Sequence, residues 1–212
     1  MKHMLMLKIP FLLAGLIALT AAGCVKFNKP SLKIEHYTLE YEPVISAGTH
    51  ALPVVIRVER FTSAPIYNTT RMIYREKPFS RDAYHYHKWR AVPADLVSYF
   101  IARDMGVSGM FEAAFPPGTS PGSTHVLSGS VDEFYERDLP DRWEAVASVT
   151  MSLLREGEPD PSKRLVFQKT YSSVEPCREK TPASVAEAMS RAMAQISHSV
   201  ISDIHRALSP ND

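Results

Sequence analysis

Residues 181–208 read TPASVAEAMSRAMAQISHSVISDIHRAL, and their reading decides the class of fold. Thr181 has the side chain of a helix N-cap, and Pro182 suits the first helical position, where no N–H is needed. Val185, Met189, Ala192, Met193, Ile196, Val200, Ile204 and Leu208 then recur every three or four residues. The spacing predicts an amphipathic helix of about seven turns. Its apolar stripe must cover something, most simply a β-sheet.

Upstream, strand signals are dense. Trp143, Ala145, Ala147, Val149, Met151 and Leu153 alternate along Trp143–Arg155 and share one face. His125–Tyr135 and Leu165–Val174 flank that segment across short polar turns, the pattern of a meander. Val54–Phe61 also alternates, with Val54, Ile56 and Val58 opposite Arg57 and Glu59. Ile34–Glu40 and Phe111–Phe115 are shorter strand candidates. Thr70–Glu76 and Ala83–Arg90 form a strand pair around a turn at Lys77-Pro78-Phe79-Ser80. Pro93 opens a second helix over Ala94–Asp104 that ends near Gly106. The order ββββ-α-ββββ-α predicts an α+β fold. An antiparallel or mixed β-sheet is covered by two helices, including the long C-terminal amphipathic one.

The first 24 residues, MKHMLMLKIPFLLAGLIALTAAGC, are a different kind of segment. Lys2, His3 and Lys8 precede an apolar run from Phe11 to Thr20, and Ala21-Ala22-Gly23 lead to Cys24. That is the order of a secretory signal peptide. Ending the small residues on a cysteine makes it a bacterial lipobox, with Cys24 the thiol that takes diacylglycerol. The expected organisation is a signal peptide over 1–23, a lipidated N-terminus and tether over 24–34, one α+β domain over 35–208 and a tail over 209–212. The apolar run is shorter than the roughly 20 residues that span a bilayer. Several acyl chains, each buried methylene contributing about 0.8 kcal/mol, make a durable anchor. Val25 in place of aspartate after the cysteine resembles an outer-membrane sorting signal, with the domain facing the periplasm. A tether of about ten residues reaches at most about 35 Å.

Cleavage before Cys24 removes Lys2 and Lys8 and no acids, so the mature formal charge is 22 − 23 = −1. A near-neutral chain is a poor phosphate binder, which argues against nucleic acid. Cys24 and Cys177 are the two cysteines. With Cys24 acylated, Cys177 has no intramolecular partner and is a buried thiol or an intermolecular bridge.

No motif supports catalysis. Gly118-Thr119-Ser120-Pro121-Gly122 matches G-x-S-x-G, but a nucleophile elbow needs a strand before the serine and a helix after it. Here prolines flank the serine and a strand follows, so a loop fits better than a hydrolase using Ser120. His85 and His87 share a strand face, yet a stable zinc site needs three or four ligands and no third is marked. His125 and Glu133 would have to approach through the fold. Asp132, Glu133 and Glu136 have no spacing that singles out an acid/base pair. No cofactor is implied. The block most open to a binding role interleaves Arg71, Tyr74, Tyr84, Tyr86 and Trp89 with further arginines. Tyrosine, tryptophan and arginine dominate binding hot spots, and the same residues are also ordinary strand formers.

Val58–Pro93, VERFTSAPIYNTTRMIYREKPFSRDAYHYHKWRAVP, carries a family resemblance. With Tyr37-Thr38-Leu39, the LSGSVDEFY of Leu127–Tyr135 and the AMSRA of Ala188–Ala192, it resembles the ABC-type transport auxiliary lipoproteins (PqiC/YmbA-like). The resemblance implies an accessory protein rather than an enzyme. It further implies work with an MCE-domain protein and ABC transporter subunits that move lipids or other hydrophobic solutes between two membranes, and admits a homo-oligomer. It supplies no catalytic residues. The competing reading is a periplasmic lipid carrier, which requires an apolar pocket of about 300–1,000 Å³.

Overall fold

The computed structural model describes residues 33–43, 45, 50–119 and 122–209. The segments expected as signal peptide and, up to residue 32, as tether, together with Cys24, Ser120 and residues 210–212, lie outside the described residues. The first strands are β1 (Glu35–Tyr37), β2 (Leu52–Val58), β3 (Thr62–Ser63), β4 (Arg71–Arg75) and β5 (Asp82–Trp89). Helix α1 (Pro93–Val107), β6 (Phe111–Phe115), β7 (His125–Asp138) and β8 (Trp143–Arg155) follow. A helical turn α2 (Pro161–Arg164), β9 (Leu165–Pro176) and α3 (Pro182–Leu208) complete the order. All belong to one compact unit, Ile34–Asp212.

The sheet is organised on β7. One edge of β7 pairs antiparallel with β8 along its length, and β8 pairs antiparallel with β9, as the meander requires. Its other edge is covered in relay by three short parallel strands: β2 at His125–Leu127, β3 at Ser130–Val131 and β4 at Glu136–Arg137. Beyond them β6 joins β2, and β5 and then β1 extend from β4. The sheet is therefore mixed. Val54–Phe61 is not one strand: pairing stops at Val58, and Phe61 turns into the core. Its ring lies where a side chain on Gly129 would go, 2.8 Å from the position of a Cβ there.

Both long helices cover one face. Ala145, Ala147, Val149, Met151 and Leu153 of β8 are completely buried on that face, as their alternation predicts. Leu127, Val131 and Phe134 of β7 join them. The stripe of α3 is buried from Val185 to Ile204, and the Thr181 hydroxyl accepts from the Ser184 N–H at 3.2 Å as the N-cap. Helix α1 runs past Gly106 to Val107; the terminator is Gly109, whose φ of 72° supplies the left-handed turn. The two helices are pinned by Asp104 of α1, 1% exposed, which accepts from Tyr41 at 2.8 Å and from Ser197 of α3 at 2.5 Å.

The opposite face of the meander is a ladder of hydroxyls. Thr150 bonds Thr170 and Asp132, Ser148 bonds Ser172, and Gln168 donates to Ser152. The short polar turn between β8 and β9 continues into α2, whose Ser162 N–H is capped by Asp160.

Candidate functional site

The arginine and aromatic residues singled out in the sequence converge on β4, β5 and the far end of β7. Between the registered pairs Arg71↔Lys88 and Ile73↔Ala83, the four residues Tyr84–His87 face the single residue Met72. This bulge frees carbonyls, and Arg71 takes them: its guanidinium donates to the Ala83 carbonyl at 2.8 Å and the Tyr84 carbonyl at 3.1 Å. Arg71 therefore works as an internal brace. Trp89 is 2% exposed and meets Phe134 edge-on at 5.2 Å, a core contact.

Tyr74 and Tyr84 pack at 4.9 Å between ring centroids, and the Tyr74 hydroxyl donates to Asp82 at 3.3 Å. The Tyr84 hydroxyl donates to Glu136 at 2.9 Å. Glu136 is 1% exposed, and its other oxygen has no hydrogen-bond partner among the described residues. Burial pushes its carboxyl up to about 7, with Asp138 and Glu76 adding to the rise. Burial likewise raises Tyr84, and the Cys177 thiol is pushed up to about 12 by burial and then by the charge of Glu136. Glu136 is the residue that sequence reasoning did not single out; its signal, a carboxylate among strand apolars before Trp143, is too common to select it.

Of the five residues, Tyr86 is the most open, at 43% exposure. His87, the next residue, shares Glu35 with Tyr37: the Tyr37 hydroxyl donates to Glu35 at 2.7 Å and lies 3.2 Å from His87 Nδ1, which is 3.4 Å from Glu35. His85 is exposed, its ring 6.3 Å from that of Tyr86. Among the described residues no three His, Cys, Asp or Glu side chains gather as a metal site. His125 starts β7 at the end remote from the hairpin turn.

Among the described residues the side chains between sheet and helices form one packed core. A hollow beside Tyr41, Asp104 and Ile201 measures about 10 Å³, the size of one water. Larger spaces are open surface clefts. One of about 460 Å³ lies beside Arg60, Asp95 and Tyr99, and one of about 300 Å³ lies over the hydroxyl ladder at Ser130, Thr150 and Ser152. Among the described residues no helix is long and apolar enough to cross a membrane.

Comparison with known proteins gives a family match. The profile described as "ABC-type transport auxiliary lipoprotein component" matches residues 37–200. The fold is similar to that of a Xanthomonas campestris protein of family DUF330, at 18% identity, covering 82% of this chain and 95% of that one, with a TM-score of 0.72. An uncharacterized protein is similar at 14% identity, covering 81% and 99% of the two chains, with a TM-score of 0.63. A hypothetical protein from Chlamydia trachomatis is similar at 8% identity, covering 76% and 100%, with a TM-score of 0.50. At these identities the likeness is one of fold. No curated protein matches the chain.

Proposed function

This chain belongs to the ABC-type transport auxiliary lipoprotein component family, and from that premise we propose that it is a non-catalytic accessory of an intermembrane transport system. It is exported, cleaved after Gly23 and acylated on Cys24. A tether over residues 24–34 holds the domain of residues 35–208 at the outer membrane, facing the periplasm. There it docks an MCE-domain protein and the ABC transporter subunits that move lipids or similar hydrophobic solutes.

The observation that carries this reading is the family match over residues 37–200, behind a leader that ends its small residues on Cys24. Two features of the fold agree with it. The hollow beside Tyr41, Asp104 and Ile201, at about 10 Å³, is far below the size a lipid carrier needs. The long edge strand β9 pairs with β8 and leaves its outer edge without a strand partner among the described residues. An open edge of that kind accepts a strand from a partner or a second copy. Within the block Arg71, Tyr74, Tyr84, Tyr86 and Trp89, the geometry favours Tyr86 as the contact residue and the others as its support.

Affinity purification of the full chain from envelope membranes tests the reading. Recovery of MCE and permease subunits is expected; recovery of neither overturns it. Mass spectrometry of the same sample reads the acyl chains on Cys24, and separation of inner from outer membranes reads the location.

A further inference from the structure

The turn between β4 and β5 carries a side chain that the fold does not use. Phe79 is fully exposed, at 106%, and its φ is 62°. A bulky L-residue in the left-handed region is strained, and glycine or asparagine is the ordinary occupant of such a turn. Phe79 returns no burial for that strain within this chain. Such an outlier points to a role outside the domain.

The topology says which way the residue faces. Strand β4 runs out beside the end of β7, with Arg75 paired to Arg137, and β5 returns from Asp82. Strand β1 runs parallel to β5, with Glu35 beside His87. The chain therefore enters β1 from the end of the sheet at which the β4–β5 turn projects. Cys24 precedes Ile34 in sequence by nine intervening residues, which reach at most about 35 Å.

Chemistry agrees with position. Lys77, two residues before Phe79, is exposed and makes no ion pair among the described residues. Arg81, two residues after, stands over the Tyr135 ring at 4.3 Å and braces the base of the turn. Farther back, Ile34 is 42% exposed, one residue before the start of β1. An aromatic tip with a neighbouring cation is the pairing of an interfacial membrane contact.

We propose that the β4–β5 turn dips into the leaflet that carries the Cys24 acyl chains, with Phe79 at the headgroup–acyl boundary and Lys77 over the lipid phosphates. The tip then fixes the orientation of the domain on the membrane, which the acyl chains and tether alone leave free. The inference rests on the lipid-anchor reading above, and its test separates the two.

The full-length chain carrying Phe79→Trp is reconstituted through its own anchor into vesicles of phosphatidylethanolamine and phosphatidylglycerol. Matched vesicles contain lipids brominated on the acyl chains. Expected are a shift of the added emission to shorter wavelength and quenching by the brominated lipids beyond that of the parent protein, whose signal comes from Trp89 and Trp143. Phe79→Gly, which relieves the strained φ, remains folded and serves as the baseline for a turn with no aromatic tip. Water-like, unquenched emission from a protein that co-floats with the vesicles overturns the hairpin contact and leaves the anchor standing. A blue shift that appears on adding transporter subunits, with no lipid quenching, overturns it in favour of a protein pocket. Failure to co-float, with Cys24 unmodified by mass, overturns the anchor instead. Quenching of the introduced tryptophan by brominated vesicles added to that unanchored chain then decides the hairpin by itself.

Discussion

The Tyr84 hydroxyl donates to a Glu136 carboxyl that is 1% exposed, a contact between residues 52 positions apart. Because burial lifts Glu136 from 4.5 to about 7, the folded protein holds this proton more tightly than the unfolded chain. Stability from this group is complete below the unfolded value and declines as pH rises from about 4.5 to about 7, where the unfolded chain has ionised and the folded one has not. The full span is on the order of 3 kcal/mol. Glu136→Gln keeps an acceptor for Tyr84 and cannot ionise, so it should remove this slope and be the more stable protein at pH 8. Urea melts of both proteins between pH 4.5 and 8 decide it; parallel pH profiles would show that Glu136 does not titrate in this range.

Arg71 should matter to stability more than to binding. Arg71→Ala strands the two bulge carbonyls of Ala83 and Tyr84, a loss of about 1–3 kcal/mol. Lysine lacks the planar fork and should restore little of it. Tyr86→Ala, at an exposed position, should fall within about 0.5 kcal/mol of the parent. If denaturant midpoints rank Tyr86→Ala at or below Arg71→Ala, the brace assigned to Arg71 is wrong.

What is legible in the sequence follows from where each constraint resides. The α+β class, β7, β8, β9 and α3 rest on long runs of one periodicity, and Ala145 to Leu153 or Val185 to Ile204 need no distant partner to be read. Strand β3 is two residues, and Thr62–Ser63 is extended because β7 lies alongside. The end of α1 is read to within a residue of Gly106, but the turn after it is not, because the φ of Gly109 is a property of that turn. The site is less legible than the fold. Arg71, Tyr84 and Trp89 stand out as a block, but which of them faces solvent depends on the four-residue bulge in β5 and on Glu136, both tertiary facts. Phe79 carries no glycine or asparagine to announce its backbone.

Gly129 should not accept a side chain. A Cβ there would sit 2.8 Å from Cε2 and 2.9 Å from Cδ2 of Phe61, whose ring is 3% exposed and held by the core. Gly129→Ala is expected to cost about 1–3 kcal/mol by overpacking. Phe61→Leu shortens the ring side of the clash, so the double variant should be more stable than the sum of the two single losses predicts. Strict additivity in a thermal double-mutant cycle would mean that the two positions do not press on each other.

Cys177 should behave as an inert thiol. It packs half-buried against the core after β9, and burial followed by the charge of Glu136 raises it to about 12, while Arg191 pulls in the opposite direction. Since the thiolate is the attacking species, native labelling by a disulfide reagent at pH 8 should be at least about tenfold slower than that of a free thiol. Labelling should go to completion once urea opens the domain. The same burial argues against the intermolecular bridge that an unpaired cysteine would otherwise suggest, so non-reducing gels should show no Cys177-dependent dimer. In a Cys24→Ser variant no second thiol competes, and the native labelling rate then reports Cys177 alone. Fast stoichiometric labelling of that protein, abolished by Cys177→Ser, would show that the thiol is reachable and that the loop after β9 opens more readily than its contacts imply.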